Sequence, residues 1–146
     1  MKKIIVGMVV LLLIGRCGIY LFFHDSNSQK IDSNSQKFEK YIMTNINNKS
    51  KSVIDFKTDF PFEWEKLYVF GAYTSQEEMY KKVGFKWSTS EIMTEVYYKI
   101  VFVNKEKVVC DIDISIGNFN IQSKSYPVDK DHSKFKIQRN NEMTLF

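Results

Sequence analysis

The sequence predicts an α+β fold: an antiparallel sheet of about four to six strands with one or two packed helices, placed after an N-terminal transmembrane helix. Three observations carry this. Residues 4–23 form an apolar run broken only by Arg16, Thr74–Gly84 carries both a helix start and a helix stop, and the stretch from Val108 to Ile116 repeats apolar residues at every second position. These periods and end signals are those of a membrane span, a helix and a half-buried strand, respectively.

The chain divides by composition into three parts: residues 1–23 as membrane anchor or signal segment, 24–37 as a polar tether, and 38–146 as a domain outside the cytoplasm. At about 1.5 Å per residue, the twenty residues from Ile4 to Phe23 are long enough to cross a bilayer core. Lys2 and Lys3 precede them and orient the segment with its N-terminus inside. A retained anchor is favoured over two alternatives. A lipoprotein would be cut before Cys17 and lipidated there, but Arg16 stands where a small residue is required. A cleaved signal peptide would need a small-residue site, which Gly15-Arg16-Cys17 mimics poorly. All three outcomes put the remaining chain beyond the membrane.

The tether contains Asp25-Ser-Asn-Ser-Gln-Lys30 and the same six residues again from Asp32 to Lys37. Such polar content offers nothing to bury, so the repeat reads as a lengthened spacer. Phe38, Tyr41, Ile42 and Ile46 then follow helical spacing up to Asn47-Asn48, and Val53–Phe60 alternates weakly as a strand. Lys66–Phe70 is a short aromatic and β-branched strand. Thr74 or Ser75 opens the next helix through a capping box with Glu77 or Glu78, and Gly84 closes it in the left-handed conformation. Met79 and Val83 are its inward contacts.

In the second half, Val96, Tyr98, Ile100 and Phe102 share one strand face, and Asn104–Lys107 turns the chain. Val108, Cys110, Ile112, Ile114 and Ile116 share the apolar face of the next strand, with Asp111, Asp113 and Ser115 opposite. Gly117-Asn118 signals a two-residue hairpin leading to Phe119 and Ile121. Phe135 with Ile137, and then Met143–Phe146, supply the last strands.

Phe62-Glu-Trp-Glu-Lys-Leu-Tyr-Val-Phe70 followed by Tyr73-Thr-Ser75 and Glu77-Glu78 resembles a W-[DE]-K-x-Y-x-F motif of small, uncharacterised bacterial proteins. Ala72 stands where that motif usually has proline. Many such proteins are exported lipoproteins or carry one N-terminal anchor. The resemblance spans roughly Phe60–Trp87 and implies location and fold rather than mechanism.

Charge narrows the partners. The net charge is +4, but Lys2, Lys3 and Arg16 supply three of the 21 basic residues, leaving 18 against 17 acidic ones. A near-neutral domain without a basic stripe does not point to nucleic acid. No phosphate loop, nucleophile elbow or metal-binding spacing is present, so neither a cofactor nor a metal is expected.

Candidate binding residues are Trp64, Tyr73 and Trp87. Aromatic side chains most often fill a core, but Trp64 and Tyr73 lie at turns, where recognition residues concentrate. The candidate catalytic groups are Asp111 and Asp113, about 7 Å apart on one strand face, and His132. For the two aspartates, an ion pair with Lys99 on the neighbouring strand is the plainer reading. The expected function is a membrane-anchored protein-binding module, such as an immunity or exclusion factor. The alternatives are a cell-envelope hydrolase and a small-ligand or lipid-binding domain.

Overall fold

The computed structural model describes residues 29–45, 51–118, 120–122, 126–138 and 142–145. The proposed anchor at 1–23, Cys17 and the first copy of the repeat up to Ser28 lie outside the described residues. The chain divides into two units, Met1–Lys30 and Ile31–Phe146. Among the described residues no helix is long and apolar enough to cross a membrane.

Helix α1 covers residues 29–45, so the second repeat copy is helical and not a tether. The reason lies in one stripe. Asn34, Ser35, Phe38, Ile42 and Asn45 are buried, and Ile31 and Tyr41 are half-buried. That is the three-and-four spacing of a helix packed on one side. Three of its inward positions, Asn34, Ser35 and Asn45, carry polar residues, which hid the stripe in the sequence.

Strand β1 (Val53–Asp55) ends after three residues, and a short helix α2 (Phe56–Asp59) replaces the rest of the expected strand. Asp55 causes the switch by accepting from the Lys57 amide as the N-cap. Strand β2 (Lys66–Phe70) and helix α3 (Gln76–Val83) fall where expected. In α3 the capping box joins Ser75 and Glu78, and Gly84 takes φ 97° to accept the left-handed cap.

Strands β3 (Tyr97–Asn104) and β4 (Lys107–Ser115) form the longest ladder. They are followed by β5 (Asn120–Gln122), β6 (Val128–Asp129), β7 (Lys134–Ile137) and β8 (Glu142–Leu145). A single-turn 3-10 helix, Lys130–His132, joins β6 to β7.

These strands make two sheets of four, ordered β4-β3-β2-β6 and β1-β7-β8-β5, where one antiparallel sheet was expected. The first is antiparallel throughout; in the second, β5 and β8 run parallel. Gly117-Asn118 therefore does not close a hairpin. The Asn118 amide caps Ser115 in a turn, and the chain leaves for the other sheet.

Both faces of β3 are covered between Tyr98 and Val103, with a different core on each side. Tyr98, Ile100 and Phe102 join Phe38, Phe56, Trp64, Phe135 and Met143 in the larger core. Val101 and Val103 join Tyr68, Phe70, Met79 and Ile92 under α3. Phe102 sits at the centre of the larger core, with the rings of Trp64, Phe38 and Phe62 at 5.0, 5.2 and 5.4 Å. Continuous apolar sequence in a strand is the mark of burial on both sides.

A bulge corrects the expected face of β4. Phe102 pairs with Cys110 while Val103 pairs with Val108, leaving Val109 as the extra residue. The extra residue flips the alternation, so Val108 packs under α3 while Cys110 and Ile114 enter the larger core. Ile116 and Val96, assigned to apolar faces, lie beyond the strands and are exposed.

Candidate functional site

The three aromatic candidates separate. Trp64 is only 1% exposed and its indole donates to the Phe56 carbonyl at 3.3 Å. It is a core residue and presents no surface, contrary to the expectation from its place at a turn. The chain leading to it is folded inward, with Phe60 and Phe62 buried in the same core. Trp87 is half-buried. Its ring packs edge-on to Tyr80 at 5.1 Å and its Nε1 donates to Asp111 Oδ2 at 2.7 Å.

Tyr73 is 64% exposed. It also holds φ 58°, a left-handed conformation that costs a residue with a Cβ about 1 kcal/mol or more. The turn is fixed from both ends: Thr74 Oγ1 donates to the Gly71 carbonyl at 2.7 Å, and the Ile92 amide donates to the Thr74 carbonyl at 3.2 Å. The Tyr73 hydroxyl reaches Glu95 Oε1 at 3.3 Å.

Most of the exposed large apolar side chains belong to segments at the same end of the β4-β3-β2 sheet as the Tyr73 turn. Met93, Val96, Tyr97 and Ile116 are all exposed, at 70, 57, 46 and 48%. The backbone places them together. β2 ends opposite the start of β3 (Phe70 against Lys99), Tyr97 pairs with Ser115, and the Ile116 amide donates to the Val96 carbonyl at 2.9 Å. Of the exposed large hydrophobics among the described residues, Val53 alone lies elsewhere, on β1. Apolar residues gathered at one end of a sheet mark an interaction site better than the same residues scattered singly.

The carboxylate pair does not form a reactive site. Lys99, itself 3% exposed, meets Asp111 at 3.0 Å and Asp113 at 2.7 Å. Burial alone would lower the pKa of its ammonium. The charge of Asp111 and the hydrogen bonds to Asp113 and Asp111 outweigh that, and the pKa stands above the ordinary lysine value. A cation held between two carboxylates is neutralised in place, as the cross-strand reading expected. His132 lies elsewhere, in a shallow open depression lined by Glu65, Asp129, Lys130 and Asp131.

Cys110 is buried, with its Sγ 3.5 Å from Ser35 Oγ. Burial pushes its thiol pKa up to about 12, so it is a protonated packing group and not a nucleophile. Among the described residues, no three His, Cys, Asp or Glu side chains are grouped so as to hold a metal ion.

Sequence reasoning reached Tyr73 through its turn but missed Met93, Val96, Tyr97 and Ile116. Tyr97 was assigned no role, Met93 stood in a stretch without period, and Val96 and Ile116 were counted into strand faces that stop one residue short of them. The signal that could have found the group is the low polarity of the turn ends flanking β3 and β4. Comparison with family profiles, with curated proteins and with solved structures finds no match to this chain.

Proposed function

We propose that this protein is a membrane-anchored protein-interaction module that binds its partner through the end of the sheet formed by Tyr73, Met93, Val96, Tyr97 and Ile116. Residues 4–23 serve as a single-pass anchor, with the folded domain outside the cytoplasm. An immunity or exclusion factor, which works by covering another protein's surface, is the form of activity this layout suits.

The observation that carries the reading is Tyr73: a large aromatic side chain held outward on a backbone that prefers glycine. Such strain persists where the surrounding structure imposes it, and it clusters at binding sites. Aromatic anchors of this kind dominate interface energetics.

A photo-reactive amino acid placed at position 73 or 97 in the full-length protein tests the proposal in the cells that make it. A discrete adduct from both positions, and none from position 106 in the β3–β4 turn, is expected. A folded protein that gives no adduct at 73 or 97 removes the proposed surface. Fractionation of the same cells tests the anchor separately, since the full-length chain should follow the membrane.

A further inference from the structure

We infer that the partner is held in part by strand addition, an inference that rests on the interaction-module reading. An extended segment of the partner protein pairs with the open edge of β4 at Asp113–Ser115. The ladder with β3 fixes which backbone groups are involved. The Ile116 amide donates to the Val96 carbonyl, one step beyond the pairing of Tyr97 with Ser115 and Tyr98 with Ile114. In an antiparallel ladder, alternate residues bond to the neighbouring strand. Ile112, Ile114 and Ile116 therefore bond to β3, while Asp111, Asp113 and Ser115 turn their amides and carbonyls outward.

Helix α1 covers only the first part of that edge. Asn34 and Ser35 bond the carbonyls of Val109 and Asp111 and the Asp111 amide. The Ser115 carbonyl receives the Asn118 amide. Among the described residues, no group bonds the outward amide and carbonyl of Asp113 or the amide of Ser115. Asp113 is exposed and Ser115 half-exposed, so the edge is within reach of another chain. A charge on an edge strand normally deters such pairing. Here the Asp113 carboxylate is matched by Lys99 at 2.7 Å.

The side chains beside the edge define the occupant. Ile112, Ile114 and Ile116 alternate onto one face of β4, with Ile112 half-buried and Ile116 exposed. A strand added here sets its own alternate side chains beside them, so apolar residues at every second position suit it. On the other face, exposed Tyr97 lies opposite Ser115. A helix satisfies its own backbone and leaves the edge groups unpaired. An extended chain supplies both a donor and an acceptor at the required spacing. The open edge lies at the same end of the sheet as the Tyr73 turn, so backbone pairing there adds affinity to the apolar contacts.

Photo-capture from position 97 of the full-length protein, in the cells that make it, tests the pairing. Ser115→Pro removes the outward amide, leaves the ladder with β3 intact and puts its ring where the added strand lies. Ser115→Ala keeps the amide. The adduct with another protein is expected to fall at least about tenfold with proline and to persist with alanine. Matching melting temperatures of the purified variants show that both are folded. In the captured wild-type complex, the amides of Asp113 and Ser115 should exchange with deuterium at least about tenfold more slowly than in the free protein. That measurement needs no variant and decides the question if the proline variant does not fold.

An adduct that survives Ser115→Pro in the folded protein overturns strand addition, as does unchanged exchange at these two amides; the interaction surface then stays in place. An adduct of two copies of this chain gives the edge to a second copy and overturns the assignment to another protein. Absence of any wild-type adduct at positions 73 and 97 is the separate result that removes the surface itself.

Discussion

Asn34 Nδ2 on α1 donates to the carbonyl of Val109, the bulged residue of β4, at 2.7 Å. One residue on, Ser35 Oγ lies 2.9 Å from the Asp111 carbonyl and accepts from the Asp111 amide at 3.3 Å. β4 is an edge strand, and its outward-facing backbone groups would otherwise invite another chain. The second copy of the polar repeat thus covers a sheet edge with side-chain hydrogen bonds, at a depth where unsatisfied groups are costly.

Replacing that amide with an apolar side chain of similar size, Asn34→Leu, leaves the Val109 carbonyl without its partner. The expected cost is about 1–3 kcal/mol. Chemical denaturation of the full-length protein measures it, and a change below about 0.5 kcal/mol would mean that water replaces the amide without loss.

Lys99→Met leaves Asp111, itself mostly buried, without its cation and should cost about 3–5 kcal/mol. Asp113→Asn should cost less than about 1 kcal/mol, since Asp113 is 47% exposed at its side chain. Combining Lys99→Met with Asp111→Asn should recover part of the loss, and a double-mutant cycle reads the coupling directly. Strict additivity of the two single changes would show that the pair is not coupled.

The two tryptophans should answer differently. Trp64→Ala empties a site packed against Phe102 and should cost about 3–5 kcal/mol. Trp87→Phe keeps the ring contact with Tyr80 but removes the donor to Asp111, for about 1.5 kcal/mol. Comparable thermal shifts from the two would contradict their different burial.

Alkaline pH should destabilise the fold, beginning with Cys110. Its folded pKa is raised by burial from 9.0 to about 12, so the folded thiol keeps a proton that the unfolded one releases. That contribution is complete below pH 9.0 and is lost as pH rises toward about 12, amounting to at most about 4 kcal/mol. Tyr98, raised by burial, and Lys99, raised by its two carboxylates against its burial, lose their contributions in the same direction, from ordinary values of 10.0 and 10.5. Cys110→Ala should therefore flatten stability between about pH 9 and pH 10 and leave the later decline in place. An unchanged slope in that interval would show that the thiol is not the group responsible.

Much of the middle of the chain was legible because its signals are local. Lys66–Phe70, the Ser75–Glu78 capping box and Gly84 each depend on residues within one or two turns of one another. The pairing of Lys99 with Asp111 or Asp113 was legible too, because two apolar faces in register leave few alternatives for the charges between them, and Lys99 meets both. Tyr73 could be named from its turn, but the other exposed apolar side chains at that end of the sheet could not. They converge from three segments, and nothing in any one of those segments records the others.

Composition and period alone determined an α+β domain, the places of β2 and α3, and a strand pair rich in isoleucine and valine with its carboxylates held by lysine. Tertiary structure decided the division into two sheets, the parallel pairing of β5 with β8, the inward fate of Trp64 and the helical state of residues 29–37. The physical reason is shared by all four. Each depends on a partner far along the chain, and a polar Asn34 or Ser35 becomes a buried helix position only because the edge of β4 supplies the carbonyls and the amide that it needs.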